Sequence, residues 1–255
     1  MRLVINRVER AFDGVSFGSA GSYEKVSGRV FAEADPAHRL NAGIVNLERA
    51  PRNAAGRVEY WFDFCLLRPA DLRKGNQRLF YDVINRGGKI ALIDFNNAPR
   101  ANNPATATDA GNGYLMRQGY SILWSAWQGD VVVGEDRMLA GFPVPTDHGA
   151  PIVGINRDEF VFDVAGSPIR ATLTYPANSL DQREATLTVR QREADDRAVV
   201  AAERWRYVGA NQIEITPAAD SDAGAIYEFI YPARDPIVMG LGLAAIRDLI
   251  AFMRH

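Results

Sequence analysis

The stretch that decides the fold is Arg78-Leu79-Phe80-Tyr81-Asp82-Val83-Ile84-Asn85-Arg86-Gly87-Gly88-Lys89, in which an apolar run ends in a glycine-containing turn. The run Leu79 to Ile84 is short and rich in aromatic and β-branched residues, so it predicts a buried strand. A second run, Ser121 to Trp127, predicts another strand, and the segment Gly113 to Gln118 predicts a short helix before it. Strand, turn, helix and strand in this order favour two parallel strands with a helical crossover.

The turn after the first strand is the candidate ligand site, because sheets with parallel strands bind ligands at the carboxyl ends of their strands. Backbone N–H groups of a glycine turn can stabilise a negatively charged oxygen there. The alternative interpretation is a tight turn with Arg86 and Lys89 in solvent. The candidate oxyanion- and substrate-binding residues are Asn85, Arg86, Gly87, Gly88, Trp127, Gln128 and Asp130.

Length and composition favour an ordinary globular protein. The 255 residues suffice for one large domain or two small ones. A hydrophobic fraction of 47% and a charged fraction of 24% favour neither a disordered nor a fibrous chain. The net charge of -2 comes from scattered residues, which gives no support to a nucleic-acid groove or a polybasic membrane patch. We therefore expect neither nucleic-acid nor membrane partners.

The single cysteine and the amino terminus bear on the compartment. Cys65 lies in an apolar run and has no second cysteine to pair with, so it is expected to be a buried strand thiol. Residues 1–10 are too charged for a secretory signal, and no apolar stretch reaches the length of a membrane span. The sequence as written predicts a cytoplasmic protein, whereas a start site further upstream would permit a secreted or periplasmic one.

Changes in pattern along the chain predict three regions. Residues 1–130 contain the N-terminal strands and the first half of the sheet, residues 131–232 form an inserted antiparallel β-rich module, and residues 233–255 form a helix that returns to the core. The helix is expected to begin at Asp235-Pro236. Its apolar arc from Leu241 to Phe252 is wide enough to serve in association with another chain. The strands expected in the first region, besides those above, are Tyr23 to Glu33, Gly43 to Leu47 and Val58 to Pro69.

Several motifs lack the context that their chemistry needs. Gly14-Val15-Ser16-Phe17-Gly18 matches a serine nucleophile elbow, but polar residues stand where the elbow needs a strand and a helix. Gly240-Leu241-Gly242 opens a loose dinucleotide fingerprint without the required preceding strand. His38, His148 and His255 have no second ligand at metal-binding spacing, and Asp220-Ser221-Asp222 lacks the rest of a calcium loop. No catalytic residue, metal or cofactor is therefore expected in this chain.

Six segments in combination resemble a bacterial family of α/β-hydrolase domain proteins of largely unassigned substrate. The resemblance extends over nearly the whole chain. It is carried by Gly-Ser-Tyr-Glu-Lys-Val-Ser-Gly-Arg-Val from Gly21, Ala-Pro-Arg-Asn-Ala from Ala50, Val-Ile-Asn-Arg-Gly-Gly-Lys from Val83, Asp-Ala-Gly-Asn-Gly-Tyr-Leu-Met-Arg-Gln-Gly-Tyr from Asp109, Trp-Ser-Ala-Trp-Gln-Gly-Asp from Trp124 and Tyr-Pro-Ala-Arg-Asp-Pro from Tyr231.

The resemblance implies an α/β fold, with part of an α/β-hydrolase sheet and an inserted β module. In such a sheet Leu79 to Ile84 is the third strand, Asn85 to Lys89 the oxyanion-side loop, and Gly240 to Arg254 the helix before the nucleophile strand. The serine elbow, acid and histidine follow that helix, so the resemblance implies an N-terminal part without its nucleophile. The complete protein is expected to hydrolyse a small ester or related acyl compound.

Two other functions stay open at this point. The β-rich segment and the aromatic residues Trp124, Trp127, Trp205 and Tyr207 could belong to a carbohydrate- or protein-binding module without catalysis. Alternatively, the chain could be one subunit of a split hydrolase, joined to its other half through the helix Leu241 to Phe252.

Overall fold

The computed structural model of the chain describes residues 1–162, 168–217 and 223–254. Two expectations, the Asp220-Ser221-Asp222 turn and the setting of His255, lie outside these residues. The chain divides into two compact units, residues 1–143 with 237–255, and residues 144–236.

The first unit contains one sheet and three α-helices among its described residues. Its strands are β1 (Arg2–Arg10), β2 (Tyr23–Ala34), β3 (Val58–Pro69), β4 (Leu79–Asp82), β5 (Ser121–Ser125) and β6 (Ala140–Gly141). Its α-helices are α1 (Ala91–Asn96), α2 (Tyr114–Arg117) and α3 (Leu241–Phe252). Its 3-10 helices are Phe12–Gly14, Gly18–Ala20, Arg39–Asn41, Leu47–Arg49, Leu72–Lys74 and Ala107–Ala110.

The strand order of this sheet is β1-β2-β3-β5-β4, and β6 pairs with β3 at one end. The predicted parallel pair is confirmed, because Leu79 lies opposite Ser121 and Asp82 opposite Trp124 in parallel register. All other pairs in the sheet are antiparallel, and the longest of them joins Tyr23–Ala34 to Val58–Pro69 along their whole length. The turn at Asn85 therefore follows the carboxyl end of a parallel strand, as expected.

The predicted fold class is wrong. Strand accounts for 36% of the structure and helix for 19%, in several separate antiparallel sheets, so this is not an α/β-hydrolase-like fold. The crossover between β4 and β5 contains α1 and α2, of only six and four residues. Helices this short cannot cover a face of a parallel sheet, whereas β2 and β3 form a long antiparallel ladder from alternating residues.

Two local expectations in the first unit also need correction. Gly43 to Leu47 is not a strand, because Asn46 adopts a left-handed conformation with φ 62° and a 3-10 helix follows. The charged N-terminal residues, in contrast, form β1. β1 contains a bulge between Ile5 and Arg7, which leaves Asn6 without a partner on β2.

The last helix begins later than expected, at Leu241, because the Val238 N–H donates to the Pro143 carbonyl oxygen and residues 235–238 lie outside any helix. Leu241, Ala245 and Leu249 are fully buried within the first unit, which accounts for most of its apolar arc. At Gly242 an added Cβ would lie 1.8 Å from the Trp127 carbonyl oxygen, so only glycine permits this close approach. The expected association through this helix stays a prediction.

The second unit is built of short antiparallel strands. They are β7 (Thr146–Asp147), β8 (Ala150–Pro151), β9 (Val153–Val161), β10 (Ile169–Thr172), β11 (Thr186–Arg190), β12 (Ala198–Val199), β13 (Trp205–Gly209), β14 (Gln212–Ile215) and β15 (Ile226–Arg234). Two 3-10 helices, Gln182–Glu184 and Ala202–Arg204, lie between them. The sheets have the orders β12-β11-β15-β9, β10-β14-β13 and β7-β8.

The core of the second unit is aromatic. Phe229 is fully buried on β15 and lies edge-on to Trp205 and Tyr207, with ring centroids 5.1 Å and 5.8 Å away. The Tyr231 hydroxyl, also buried, donates to the Asp158 carboxylate at 3.0 Å. Across the part of the chain that the structure describes, no helix has both the length and the apolar character needed to cross a bilayer.

Candidate functional site

A row of five side chains crosses one face of the first unit's sheet. Its members lie directly opposite one another on successive strands, so the pleat turns them all to the same face. The row runs Arg7, Ser27, Cys65, Trp124 and Asp82 through β1, β2, β3, β5 and β4. Residues two positions along a strand share this face, which adds Glu9 and Lys25 as a second cross-strand pair.

A cleft of about 300 Å³ lies over this face. Its floor is formed by strand residues, and its walls come from the end of the glycine turn and from two loop segments. The lining residues that matter for its chemistry are Glu9, Lys25, Asp63, Cys65, Lys89 and Asn102. The turn reaches the cleft only through Lys89, since none of the candidate residues Asn85 to Gly88, Trp127, Gln128 and Asp130 lines it.

Lys25 is buried at the edge of this cleft, with 3% of its surface exposed, and its ammonium group is fully partnered. It forms an ion pair with Glu9 at 2.9 Å. It also donates hydrogen bonds to the Asn103 side chain at 2.6 Å and to the Pro104 carbonyl oxygen at 2.9 Å. These three acceptors match the three hydrogens of an ammonium group, so the charge of Lys25 is compensated within the protein.

Lys89 is the second buried lysine of the cleft, with 7% of its surface exposed. Its Nζ donates to the Asn102 carbonyl oxygen and lies 5.9 Å from the centre of the Trp124 ring. Among the described residues it has no ion-pair partner. Burial lowers the pKa of Lys89, and the negative charges of Asp136 and Asp63 oppose that shift without cancelling it.

Cys65 lies on β3 and lines the same cleft as the two lysines, and its burial confirms the expectation of a strand thiol. Burial raises the pKa of this thiol, although the positive charges of Lys89 and Lys25 act in the opposite direction. A thiol with a raised pKa is a poor nucleophile at neutral pH, because the thiolate is the reactive form. Cys65 therefore contributes packing to the floor of the cleft.

Asp82 fixes the two ends of the glycine turn. It is the last residue of β4 and is buried, and its Oδ2 accepts hydrogen bonds from the N–H groups of Ile90 and Ala91 at 3.1 Å and 2.8 Å. The same oxygen accepts the indole N–H of Trp124 at 2.6 Å. The carboxylate thus satisfies the first N–H groups of α1 and closes the loop that carries residues 83–89.

The turn itself is held by contacts with the chain after β5. Arg86 has a left-handed backbone with φ 50°, and its guanidinium binds the Asp130 carboxylate at 2.7 Å and the Asp130 carbonyl oxygen at 3.0 Å. The Arg86 N–H donates to the side-chain oxygen of Gln128 at 2.6 Å. The Trp127 indole N–H donates to the Ile84 carbonyl oxygen at 2.6 Å.

These contacts bring together the residues that the sequence singled out, with different roles. Asn85 and Gly88 close the tight turn, since the Gly88 N–H donates to the Asn85 carbonyl oxygen at 2.9 Å. Gly87 has φ 78° and is enclosed by Arg137 and Met138, so it serves the turn's close packing. Two N–H groups of the turn donate to carbonyl oxygens of partly exposed side chains, that of Arg86 to Gln128 at 2.6 Å and that of Lys89 to Asn102 at 3.2 Å.

No family model, curated protein or solved structure matches the chain. A proposal of function therefore depends on the geometry of the site and on the resemblance noted in the sequence.

The structure describes three of the residues whose motifs lacked the necessary context, Ser16, His38 and His148, and none of the three lies in a catalytic arrangement. Ser16 is exposed between two 3-10 helices, not at a strand-to-helix turn, which confirms the interpretation as a loop. The Nδ1 of His38 accepts a hydrogen bond from the Leu40 N–H, and His148 is exposed in the turn between β7 and β8. Within the described residues, no group of histidine, cysteine or carboxylate side chains could hold a metal ion.

The aromatic residues that suggested a binding platform are largely internal. Trp124 is fully buried and Trp205 is 5% exposed. Tyr207 packs edge-on to Trp205 at 5.6 Å in the core of the second unit. These positions do not offer ring faces to a carbohydrate.

Sequence reasoning missed Lys25, Lys89, Glu9 and Asp82 as site residues. One signal in the sequence could have found the lysines. Only three of the 29 basic residues are lysines, Lys25, Lys74 and Lys89, and two of these line the cleft. The alternative interpretation that placed Arg86 and Lys89 in solvent holds for Arg86 but is wrong for Lys89.

Proposed function

We propose that this chain takes part in the hydrolysis of esters or related acyl bonds by binding the acyl group of a small substrate. In this proposal the turn Asn85 to Lys89 receives the carbonyl oxygen, and the serine nucleophile is none of the serines of this chain. The similarity to α/β-hydrolase domain proteins in sequence suggested the reaction class; the fold of that family is not part of the proposal.

The observation that carries the proposal is the hydrogen bond from the Arg86 N–H to the Gln128 side-chain oxygen at 2.6 Å. That oxygen belongs to an amide carbonyl, which presents the same kind of acceptor as an ester carbonyl. Gln128 is partly exposed, so a substrate carbonyl can replace it without unfolding the turn. The left-handed backbone of Arg86 and its ion pair with Asp130 hold the N–H in position before the ligand arrives.

A donor of this kind lowers the energy of a developing oxyanion but does not itself break a bond. Ordinary esterase rates also need a nucleophile activated by a neighbouring base. Ser125 is fully buried, and its Oγ lies 2.6 Å from the Tyr81 hydroxyl, which is not a base at neutral pH. Ser27 lines the cleft, and no hydrogen bond joins its hydroxyl to a basic side chain among the described residues. We therefore expect acyl binding without turnover from this chain alone.

The first test is titration of ¹⁵N-labelled protein with methyl butyrate, followed through the backbone amide signals. We expect saturable shifts at Arg86 and its neighbours Gly87 and Gly88. Replacement of Gln128 by alanine removes the competing oxygen and should strengthen binding, since it leaves the Arg86 N–H without a protein acceptor. The matched control Gln118→Ala changes a glutamine at the end of α2 and should leave the titration unchanged.

The second test is incubation with a fluorophosphonate serine probe and a set of short-chain esters. No labelling and no hydrolysis above the buffer rate are expected. Stoichiometric labelling of any serine, or methyl butyrate titrations that move none of the three turn amides in wild type and Gln128→Ala, would overturn the proposal.

A further inference from the structure

The chain uses lysine sparingly and places it selectively. Surface positive charge comes from arginine almost throughout, whereas two of the three lysines are buried at one cleft. The difference between the two side chains matters here, because arginine stays protonated in proteins while a buried lysine can lose its proton and act as a nucleophile. A buried position that needed only positive charge would not require lysine.

The two buried lysines differ in what surrounds them. Lys25 has the Glu9 carboxylate at 2.9 Å and two further acceptors. Lys89 has one protein acceptor, the Asn102 carbonyl oxygen, and no ion pair among the described residues. In the cleft, a carboxylate in contact with Lys25 thus neutralises its charge, whereas no carboxylate of the described residues contacts the amine of Lys89.

We propose that Lys89 is the nucleophile of a covalent site that forms an imine with a small aldehyde bound in the cleft. The site lies at the wall where Lys89 and Asn102 meet, and the cleft of about 300 Å³ has room for an aldehyde of a few carbon atoms. This inference does not depend on the acyl function proposed above, since it uses the Lys89 side chain and not the Arg86 N–H.

The reaction balances within the cleft without any oxidant or reductant. The ammonium first releases one proton to solvent, and the nitrogen lone pair then attacks the aldehyde carbon. One amine hydrogen moves to the carbonyl oxygen to give a carbinolamine. The carbon–oxygen bond then breaks, and the oxygen leaves as water with the second amine hydrogen, so that amine and aldehyde give imine and one water.

Several charged and titratable groups act on Lys89. Lys25 favours its neutral form through its positive charge, whereas Asp136, Asp63 and an ionised Cys65 favour the protonated form. Burial has the largest influence and favours the neutral amine, which agrees with the role that the geometry assigns to Lys89.

The test uses propanal and sodium cyanoborohydride at pH 7, which reduces an imine to a stable secondary amine. Peptide mass mapping then reports the adduct, the mass of propanal less one oxygen atom, at each lysine. The exposed Lys74 is an internal control for ordinary surface reactivity. We expect Lys89 to be labelled at least about tenfold faster than Lys74 and with saturation in propanal. Lys25, with its three acceptors, should be labelled least.

Two variants complete the experiment. Lys89→Arg keeps the positive charge but forms no imine, so the fast adduct should disappear, whereas it should persist in Lys74→Arg. The labelling rates of the three lysines are compared in the wild-type protein. The proposal is therefore tested even if Lys89→Arg misfolds. Labelling of Lys89 at or below the rate of Lys74, or labelling that rises linearly with propanal, would overturn it.

Discussion

Replacement of Asp82 by alanine should destabilise the first unit more than the loss of any surface carboxylate. The substitution leaves three donors without their acceptor, the N–H groups of Ile90 and Ala91 and the indole N–H of Trp124. Hydrogen bonds to a charged group contribute about 1.5–3 kcal/mol each, and their losses are not additive when they share one oxygen. We expect the free energy of unfolding to fall by about 3–5 kcal/mol, which is near the upper end of single substitutions.

The assay is urea denaturation combined with hydrogen exchange of individual amides. The amides of Ile90 and Ala91 should exchange faster in Asp82→Ala, because they lose the acceptor that protects them in wild type. Asp82→Asn keeps an oxygen acceptor without the charge, so it should lose only about half as much free energy.

The matched control is Asp94→Ala, which removes the same side chain from an exposed position on α1. Its effect should stay within about 0.5 kcal/mol of wild type. Equal losses in Asp82→Ala and Asp94→Ala, or unchanged exchange at Ile90 and Ala91, would show that the buried carboxylate does not hold the turn.

Two further predictions concern the packing and titration of the first unit. Gly242→Ala places a Cβ 1.8 Å from the Trp127 carbonyl oxygen and should cost about 1–3 kcal/mol in thermal or urea unfolding, whereas Gly43→Ala, with open space at its Cβ, should change little. Burial raises the pKa of Tyr23 above its ordinary value, so its neutral hydroxyl contributes stability that is complete below pH 10 and is lost as the pH rises further. Tyr23→Phe removes the hydrogen bond from the buried hydroxyl to the Met116 carbonyl oxygen, so it should be less stable than wild type at pH 7. Because phenylalanine does not ionise, the variant should lose less stability between pH 10 and 12 in urea unfolding; an unchanged alkaline loss would contradict this reasoning.

The parallel strand pair and its turn could be predicted from sequence because their signals are local. Leu79 to Asp82 and Ser121 to Ser125 are short apolar runs, and glycine follows the first of them. The fold class could not be predicted in the same way. It depends on which strands lie on either side of β3, here β2 and β5, and pairing between distant segments leaves no mark within a single run.

The candidate site shows the same division. The residues Asn85 to Gly88 could be identified because a glycine turn after a strand is visible in the sequence. The burial of Lys89 could not be predicted, since lysine is among the residues least often buried and no neighbouring residue in the sequence indicates that its side chain is enclosed. Lys89 is buried because it contacts Asn102 and one face of the sheet. That face exists only because five strands pair in the observed register.

That register also sets the rules for insertions and deletions in the strands. Removal of one residue from the middle of β3 would turn the side chains on one side of the deletion to the opposite face, so Cys65 and Asp63 could no longer both face the cleft. Removal of two would keep the facing but move one part of the floor by about 7 Å along the strand. The bulge at Asn6 is the place where β1 already contains an extra residue. The sheet therefore tolerates insertion or deletion of a single residue in its edge strand β1 but not in β3.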